Sequence, residues 1–259
     1  MQLEKFEMLE QAVSEADMVL VGLGEEWVLT EEAIRKDLEH KNKLLYEMYS
    51  VAIKDEAYRE TVPLLTAYYY KNFIPETLQE AYKNMLQMLE GKNYFVVTLC
   101  TDDKIYRSNI KPDRIVAPCG SYSFLQCEDV CTEDIYSIED YREELEKGII
   151  PICSKCGKSL IMNHIGAKKY SEEGYLKKWS TYMKWFQGSL NKNIRILELG
   201  VGMKYPSVIR WPFERVTLIN NKAKFMRVHE RLFQLTEDIK DKGISIEENP
   251  IDFLRNQIV

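Results

Sequence analysis

The stretch Val116–Cys131 reads VAPCGSYSFLQCEDVC, and Pro151–Lys158 further along reads PICSKCGK. Two close cysteine pairs about twenty residues apart have the ligand spacing of a tetrahedral zinc site, because each short loop lets two thiolates point inward. Four thiolates fill the coordination sphere, so a zinc ion held here would be structural and any catalysis would lie elsewhere. Four unrelated buried thiols, or two disulfides, remain the alternative. The predicted ligands are Cys127, Cys131, Cys153 and Cys156.

The chain around these stretches has 259 residues, of which 45% are hydrophobic and 29% are charged, and a net charge of -6. This length is enough for one large domain with an insert. The negative charge and the absence of a basic run argue against nucleic acid as a partner. No apolar run approaches about twenty residues and no signal peptide is visible, so neither a membrane span nor secretion is expected. Six cysteines without a secretion signal predict a cytoplasmic protein.

Short apolar runs separated by helical patterns predict an α/β protein. Residues 1–15, 30–90, 170–190 and 250–257 follow helical spacing, and Phe225–Leu235 is interpreted as a helix although its period is ambiguous. The order of these segments describes an open, mostly parallel sheet with helices on both faces. Buried strands are predicted at Asp17–Gly22, Tyr94–Leu99, Arg114–Ala117, Ile194–Leu199, Val216–Ile219 and Ile244–Glu247.

Small and polar residues gather at the carboxyl ends of these predicted strands. Ligands of open parallel sheets bind beyond those ends, so the clustering predicts a nucleotide site. A plain strand-to-helix turn would also explain the glycines after the first strand. A helix N-cap would explain Asp102, and a turn or cap would explain Asn220. The residues that fall at strand ends are Gly22, Gly24, Thr98, Asp102, Cys119, Gly200, Gly202 and Asn220.

Together these motifs resemble the sirtuins, the NAD-dependent protein deacylases and ADP-ribosyltransferases. The resemblance is tightest to the bacterial macrodomain-linked branch, called class M, and it covers nearly the whole chain. It rests on the cysteine spacing, on the pattern Thr98-x-x-x-Asp102, and on the order of the glycine turns. The matching segments are GVGMKYP at Gly200–Pro206, WPF at Trp211–Phe213, FLQC at Phe124–Cys127, and Leu218–Asn220.

The resemblance implies a Rossmann-like nucleotide-binding domain formed by residues 1–29, 91–126 and 191–259. It also implies a helical module over 30–90 and a zinc-binding insert over 127–165, with NAD held between these parts and a protein as substrate or partner. Asn220 would hold the adenine-side ribose, and Cys119 stands where sirtuins have their histidine base. The residues that would bind NAD are Gly22, Gly24, Thr98, Cys100, Gly200, Val201, Gly202 and Asn220, with Cys119 and Asp102 as catalytic candidates.

Several residues depart from the sirtuin pattern. Glu25 and Glu26 follow the first glycine turn, where an anion should dock, and they are interpreted as structural residues that stabilise a helix N-terminus. Cys119 is a poor replacement for imidazole, which weakens deacylation more than ADP-ribosyl transfer. A small, partly buried thiol is favoured over an activated nucleophile for Cys119. Two hypotheses follow: a divergent NAD-dependent protein-modifying enzyme, or a catalytically inactive module that binds a nucleotide or a partner protein.

Overall fold

The computed structural model describes residues 2–28, 74–147 and 149–255, together with positions 36, 39, 40, 43, 46 and 47. The predicted helical module over 30–90 therefore falls largely outside the described residues. In the part that is described, residues 76–88 form a helix as expected. Within these ranges, none of the helices is both long and apolar enough to cross a bilayer.

Nine β-strands and several α-helices organise the described residues. The strands are β1 (Met18–Leu23), β2 (Asn93–Thr98), β3 (Ile115–Val116), β4 (Gly120–Cys127), β5 (Tyr136–Ser137), β6 (Leu160–His164), β7 (Ile194–Leu199), β8 (Lys224–Val228) and β9 (Gly243–Ile246). The α-helices are α1 (Gln2–Ser14), α2 (Glu76–Met88), α3 (Arg142–Glu146), α4 (Glu173–Gln187), α5 (Arg210–Ile219) and α6 (Pro250–Arg255).

The main sheet has six parallel strands in the order β3-β2-β1-β7-β8-β9. Its central strands are continuous buried runs because both faces are covered. Helices α1, α2 and α6 cover one face through residues such as Leu9, Leu78 and Phe253, and α4 and α5 cover the other through Tyr182 and Phe213. The predicted α/β fold with a mostly parallel sheet is thus confirmed.

The order of strands sets where a ligand can lie. The chain runs outward from β1 to β2 and β3 on one side, and from β7 to β8 and β9 on the other. The switch point therefore lies between β1 and β7, where Leu23 pairs with Leu199. Open parallel sheets bind ligands in the crevice beyond such a point.

A second, antiparallel sheet in the order β5-β4-β6 carries the cysteine loops. It has a small core of its own, in which Leu125, Ile138 and Leu160 pack beside two of the cysteines. Residues 120–126, which were assigned above to the Rossmann-like domain, form most of β4 and pair within this second sheet. The cysteine loops thus sit on a separate β-module, defined here as residues 120–164.

Two secondary-structure predictions are wrong. Val216–Ile219 is not a strand but the end of helix α5, and Pro212 does not interrupt that helix because it lies in the first turn, where backbone N–H groups need no partner. The buried positions Phe213, Val216 and Thr217 show the helical spacing that a four-residue apolar run conceals.

The second error concerns Phe225–Leu235, which was interpreted as a helix. Its first residues belong to strand β8, which lies between β7 and β9. The sequence of β8, KFMRV, shows neither an unbroken apolar run nor a period-2 alternation, because the charged Arg227 interrupts its apolar residues.

Candidate functional site

The four cysteines of the β-module converge. Their sulfur atoms all lie within 4.8 Å of one another, with Cys127 Sγ 3.5 Å from Cys156 Sγ and Cys131 Sγ 3.6 Å from Cys153 Sγ. Zinc–sulfur bonds of about 2.3 Å in a tetrahedron place sulfurs about 3.8 Å apart, so these atoms fit a four-thiolate ion site. All six cysteines are free thiols, which excludes the alternative of two disulfides. The predicted convergence is confirmed.

The four cysteines of the β-module differ in pKa: the values of Cys127 and Cys153 are lowered, whereas those of Cys131 and Cys156 are raised. Backbone N–H groups of Lys155 and Cys156 point at the Cys153 sulfur and lower the pKa of Cys153 to about 6. The Gly157 N–H donates to the Cys153 carbonyl at 2.8 Å, and Gly157 has φ +72°, which closes a tight turn. The bond between the Val130 N–H and the Cys127 carbonyl, at 2.9 Å, closes the other loop.

The ends of β1 and β7 approach each other so closely that only glycines fit. A Cβ added at Gly24 would lie 2.1 Å from the Gly200 carbonyl oxygen and 2.2 Å from Val201 Cα. Gly200 has φ +66°, a left-handed conformation that favours glycine. Gly22 serves another purpose, because it lies inside β1 and its missing Cβ makes room for Ile209 of the segment leading into α5.

The end of β2 is occupied by groups that bond to the protein itself. The Thr98 hydroxyl accepts from the Cys100 N–H at 3.0 Å, and the Cys100 thiol donates to the Gly24 carbonyl at 3.3 Å. Asp102 forms a 2.9 Å ion pair with Lys104, whose side chain is fully buried. This pairing holds the Asp102 carboxylate in one position.

Cys119 lies at the turn that joins the main sheet to the β-module. Burial, together with the negative charge of Glu25, raises the pKa of Cys119 from 9.0 to about 12. The thiol is therefore protonated near neutral pH, and it is neither a base nor an activated nucleophile. The interpretation of Cys119 as a buried thiol agrees with this environment. Gly120 follows with φ +104°. A Cβ there would lie 2.2 Å from the Asn163 carbonyl oxygen, so both the backbone conformation and the close approach require glycine.

The carboxylates of Glu25 and Glu26 bond to the segments that follow β7 and β8, respectively. The Gly202 N–H donates to Glu25 Oε2 at 2.7 Å, and Glu25 Oε1 is buried with no hydrogen-bond partner among the described residues. Glu26 Oε1 accepts from the Glu230 N–H at 3.1 Å and lies 2.9 Å from His229 Nδ1. Both carboxylates accept hydrogen bonds from the protein itself, but not in the way that the sequence predicted. They bond to turns distant in sequence instead of stabilising their own helix, which is a single 3-10 turn at Glu25–Trp27.

Comparison with known proteins gives a consistent result, although no family model matches the chain. A Staphylococcus aureus protein named Protein ADP-ribosyltransferase is 19% identical over 266 residues, covering 94% of this chain and 84% of that protein. A Fusarium oxysporum protein named Probable bifunctional ADP-ribose hydrolase/ADP-ribosyltransferase is 28% identical over 154 residues, which span 53% of this chain and 26% of that protein.

Solved structures match along the whole chain. Sir2Tm bound to a propionylated peptide aligns with a TM-score of 0.56 and 18% identity, covering 97% of this chain and 96% of that one. A further Sir2 enzyme aligns with a TM-score of 0.58 and 15% identity, covering 98% and 96%. The chain has the sirtuin fold. The resemblance drawn from the sequence is confirmed at that level, and the macrodomain-linked branch stays a prediction.

One predicted residue of this sirtuin fold lies on the wrong edge of the sheet. Asn220 follows helix α5, and its side-chain amide donates to the carbonyls of Ser189 and Lys192, at 3.3 Å and 3.2 Å. Those carbonyls precede β7, so Asn220 sits at the amino ends of the strands. The prediction that Asn220 contacts a ribose in the cleft is therefore wrong. It followed from interpreting Val216–Ile219 as a strand.

The strand that follows β7 in the sheet is β8, and not the predicted strand Val216–Ile219. His229 follows directly after the carboxyl end of β8. The interpretation of this segment as a helix hid that position. Its sequence signal was weak, because Arg227 interrupts the apolar residues Phe225, Met226 and Val228 that precede His229.

A buried ionic network under the Gly200 turn was also missed. Arg210 donates to the Val201 carbonyl at 2.7 Å and lies 3.2 Å from Glu198, which in turn accepts from Arg227 at 2.6 Å. No local pattern marks these residues, because they are distant in sequence and meet only in the folded sheet.

Proposed function

We propose that this chain is a divergent sirtuin-type enzyme that transfers ADP-ribose from NAD to a protein. The observation that carries this proposal is the similarity to the Staphylococcus aureus ADP-ribosyltransferase, which runs across 94% of the chain instead of one motif. The second relative, whose name includes ADP-ribosyltransferase, also supports it. Several Sir2 structures hold acylated peptides, which supports a protein as the acceptor.

The protonation state of Cys119 favours transfer over deacylation. Sirtuin deacylation, by the resemblance described above, needs a base at this position. A thiol whose pKa is raised to about 12 does not accept a proton at neutral pH. Transfer to a nucleophile that the acceptor protein supplies makes no such demand on Cys119.

Zinc is the ion we assign to the four-thiol cluster. Four sulfurs at tetrahedral spacing suit zinc, and they leave no open position for water. The residues present would hold the ion as a structural metal. It would fix the ends of β4 and β6, and through the pairing of Gly120 with His164 it would also support the turn that carries Cys119.

The strand ends fit NAD only in part. Gly24 and Gly200 supply the glycine turns that a diphosphate site requires, but the two turns pack directly against each other, and the Glu26 side chain lies against Gly200. The Gly202 N–H, which points between the strand ends, is already bonded to Glu25. In the described conformation the Glu25 carboxylate therefore occupies the Gly202 N–H donor that a bound phosphate would use.

The test of this proposal is incubation with NAD and candidate acceptor proteins, following nicotinamide release and labelled ADP-ribose on protein. We expect both signals from the wild type and a loss of both in Asp102→Asn, with Glu10→Ala on the exposed side of α1 as an unaffected control. Absence of both signals and of NAD binding by calorimetry at high ligand concentration would contradict the enzyme proposal.

A catalytically inactive sirtuin-fold module is the second candidate. The contact between Glu25 and the Gly202 N–H favours it, as does the protonated Cys119. A module of this kind would bind a partner protein or a nucleotide without turnover. A Cys119→His variant that gains nicotinamide release from an inactive wild type would support this candidate, and turnover by the wild type would exclude it.

A further inference from the structure

Glu25 lies at the centre of the strand-end cleft. Its Oε2 accepts from the Gly202 N–H at 2.7 Å, and its carboxylate carbons and oxygens stand 3.1–3.4 Å from where a Gly202 Cβ would be. The turn that holds Gly202 is fixed from below, because Arg210 donates to the carbonyl of the preceding residue, Val201, at 2.7 Å. Glu25 is thus bonded to a rigid backbone donor 177 positions away in the chain.

The position of this donor decides which ligands suit it. Backbone N–H groups at the ends of parallel strands bind anions, phosphates above all. A carboxylate has the same sign of charge and the same hydrogen-bond acceptors as a phosphate. The Glu25 side chain therefore satisfies the donor that an anionic ligand would otherwise use.

Glu25 is not fully satisfied in return. Its Oε1 is buried and lacks a hydrogen-bond partner among the described residues. A buried acceptor without a donor costs free energy, and the cost is greater when the group is charged. The charge of Glu25 also raises the pKa of the Cys119 thiol, second to burial. The position of Glu25 therefore has a cost that an exposed surface carboxylate would not have: one of its oxygens is unpaired, and its charge disfavours ionisation of Cys119.

From these contacts we infer that Glu25 is an internal anion that occupies the phosphate position of the cleft and determines its ligand specificity. A ligand with a diphosphate binds only when the Glu25 side chain leaves the Gly202 N–H, because two anions cannot share one donor. Phosphate-bearing ligands are thereby disfavoured by like charge as well as by occupancy. The inference rests on the proposed function only for the choice of a dinucleotide as the natural ligand.

Glu26 contrasts with Glu25 although it is the next residue. Both oxygens of its carboxylate lie within 3.4 Å of the Glu230 N–H, at the exposed rim beyond β8, and one contacts His229. Its backbone N–H donates to the Gly200 carbonyl at 3.2 Å, but the hydrogen bond to the Gly202 N–H is made by Glu25 and not by the Glu26 carboxylate. The specificity effect is therefore assigned to Glu25 alone.

The test uses the full chain and two probes, inorganic pyrophosphate and ADP-ribose, with dissociation constants measured by calorimetry. Glu25→Ala removes both the charge and the acceptor, whereas Glu25→Gln removes the charge and retains an oxygen that can accept from Gly202. We expect Glu25→Ala to bind both probes at least about tenfold more tightly than the wild type. The affinity of Glu25→Gln for each probe should lie between those of the wild type and Glu25→Ala. The remote control Glu10→Ala should bind both probes as the wild type does.

Several results would overturn the inference. Equal affinity in the wild type and Glu25→Ala would mean that the carboxylate does not compete, and weaker binding by Glu25→Ala would mean that it helps to build the site. Failure of every variant to bind either probe, with thermal unfolding unchanged, would mean that the Gly202 donor is not an anion site.

Nicotinamide release measured on the same proteins separates this inference from the proposed function. Turnover of NAD by the wild type, with equal probe affinities, would leave the enzyme proposal in place and remove the role of Glu25. Tighter probe binding by Glu25→Ala without nicotinamide release from any variant would support Glu25 as the internal anion and contradict the enzyme proposal.

Discussion

The β-module and the strand-end cleft differ in how the sequence specifies them. In the β-module, two short loops bring four sulfurs within 4.8 Å of one another, and the loops themselves lower the pKa of Cys153. In the cleft, groups from separate segments of the chain meet, and each one bonds to another part of the protein. The residues of a site can be predicted from the sequence when they are closely spaced along the chain. When they come from distant segments, the chemistry of the site depends on which groups each side chain bonds to in the folded protein.

The largest effect that tests this contrast is loss of the metal. Cys153→Ser removes one thiolate, and we expect the bound zinc to fall from about one per chain to almost none. The free energy of unfolding should drop by more than ~4 kcal/mol, because a structural metal contributes its binding energy to folding. Elemental analysis and denaturant unfolding measure the two quantities. Cys100→Ser, in the cleft, is the matched control and should retain its metal.

The cleft has its own buried charges, and Lys104 tests them. Lys104→Met leaves the Asp102 carboxylate inside the protein without its 2.9 Å partner. We expect a loss of ~3–5 kcal/mol in the free energy of unfolding, because a buried charge without its partner is strongly destabilising. The double variant that also carries Asp102→Leu should recover part of that loss in urea unfolding. If the double variant is less stable than Lys104→Met, the ion pair is not the cause.

The close approach of the two glycine turns predicts a smaller effect. A Cβ at Gly24 would overlap the Gly200 carbonyl oxygen, so Gly24→Ala should force the strand ends apart and cost ~1–3 kcal/mol. Gly188→Ala is the control, because Gly188 has φ -68° and its new Cβ would lie 3.2 Å from the nearest atom. Equal unfolding midpoints for the two variants would contradict the tight packing of the cleft.

The pH dependence of Cys119 gives the smallest effect. In the unfolded chain this thiol loses its proton near 9.0, whereas in the folded chain its pKa is about 12. The folded protein therefore binds more protons between these values, and its stability should fall as the pH rises through that window. Cys119→Ala should lessen this fall in a series of unfolding curves from pH 8 to about 10.5. An unchanged slope would mean that Cys119 is not the titrating group.

Much of the fold was predictable because the signals were local. Mainly apolar runs predicted β1, β2 and β7 to within one residue, and the paired cysteines predicted the four sulfurs that converge. The error at Val216–Ile219 arose from a short, mainly apolar run, which fits a helix and a buried strand equally well, and the error at Phe225–Leu235 arose from a mixed pattern of apolar and charged residues. Those two errors were linked, since interpreting the end of α5 as a strand left β8 without a place in the sheet.

The cleft was predictable in composition but not in its bonds. The glycines and Asp102 were found, and the carboxylates of Glu25 and Glu26 were recognised as departures. The partner of Glu25 is a backbone N–H at Gly202, and no pattern along the chain connects the two. His229 entered the cleft from a strand that the sequence did not reveal. Hydrogen bonds between distant segments form only when the sheet is packed, so the sequence pattern alone does not reveal them.

Gly120 carries a mechanical consequence. It is the residue at which the chain leaves the main sheet for the β-module, it pairs with His164, and its φ of +104° suits glycine. A rotation of the β-module about Gly120 would also move Cys119, because the Cys119 carbonyl accepts a hydrogen bond from the Ile165 N–H at 2.9 Å. A displacement of the β-module would therefore be transmitted to the turn that joins it to the main sheet.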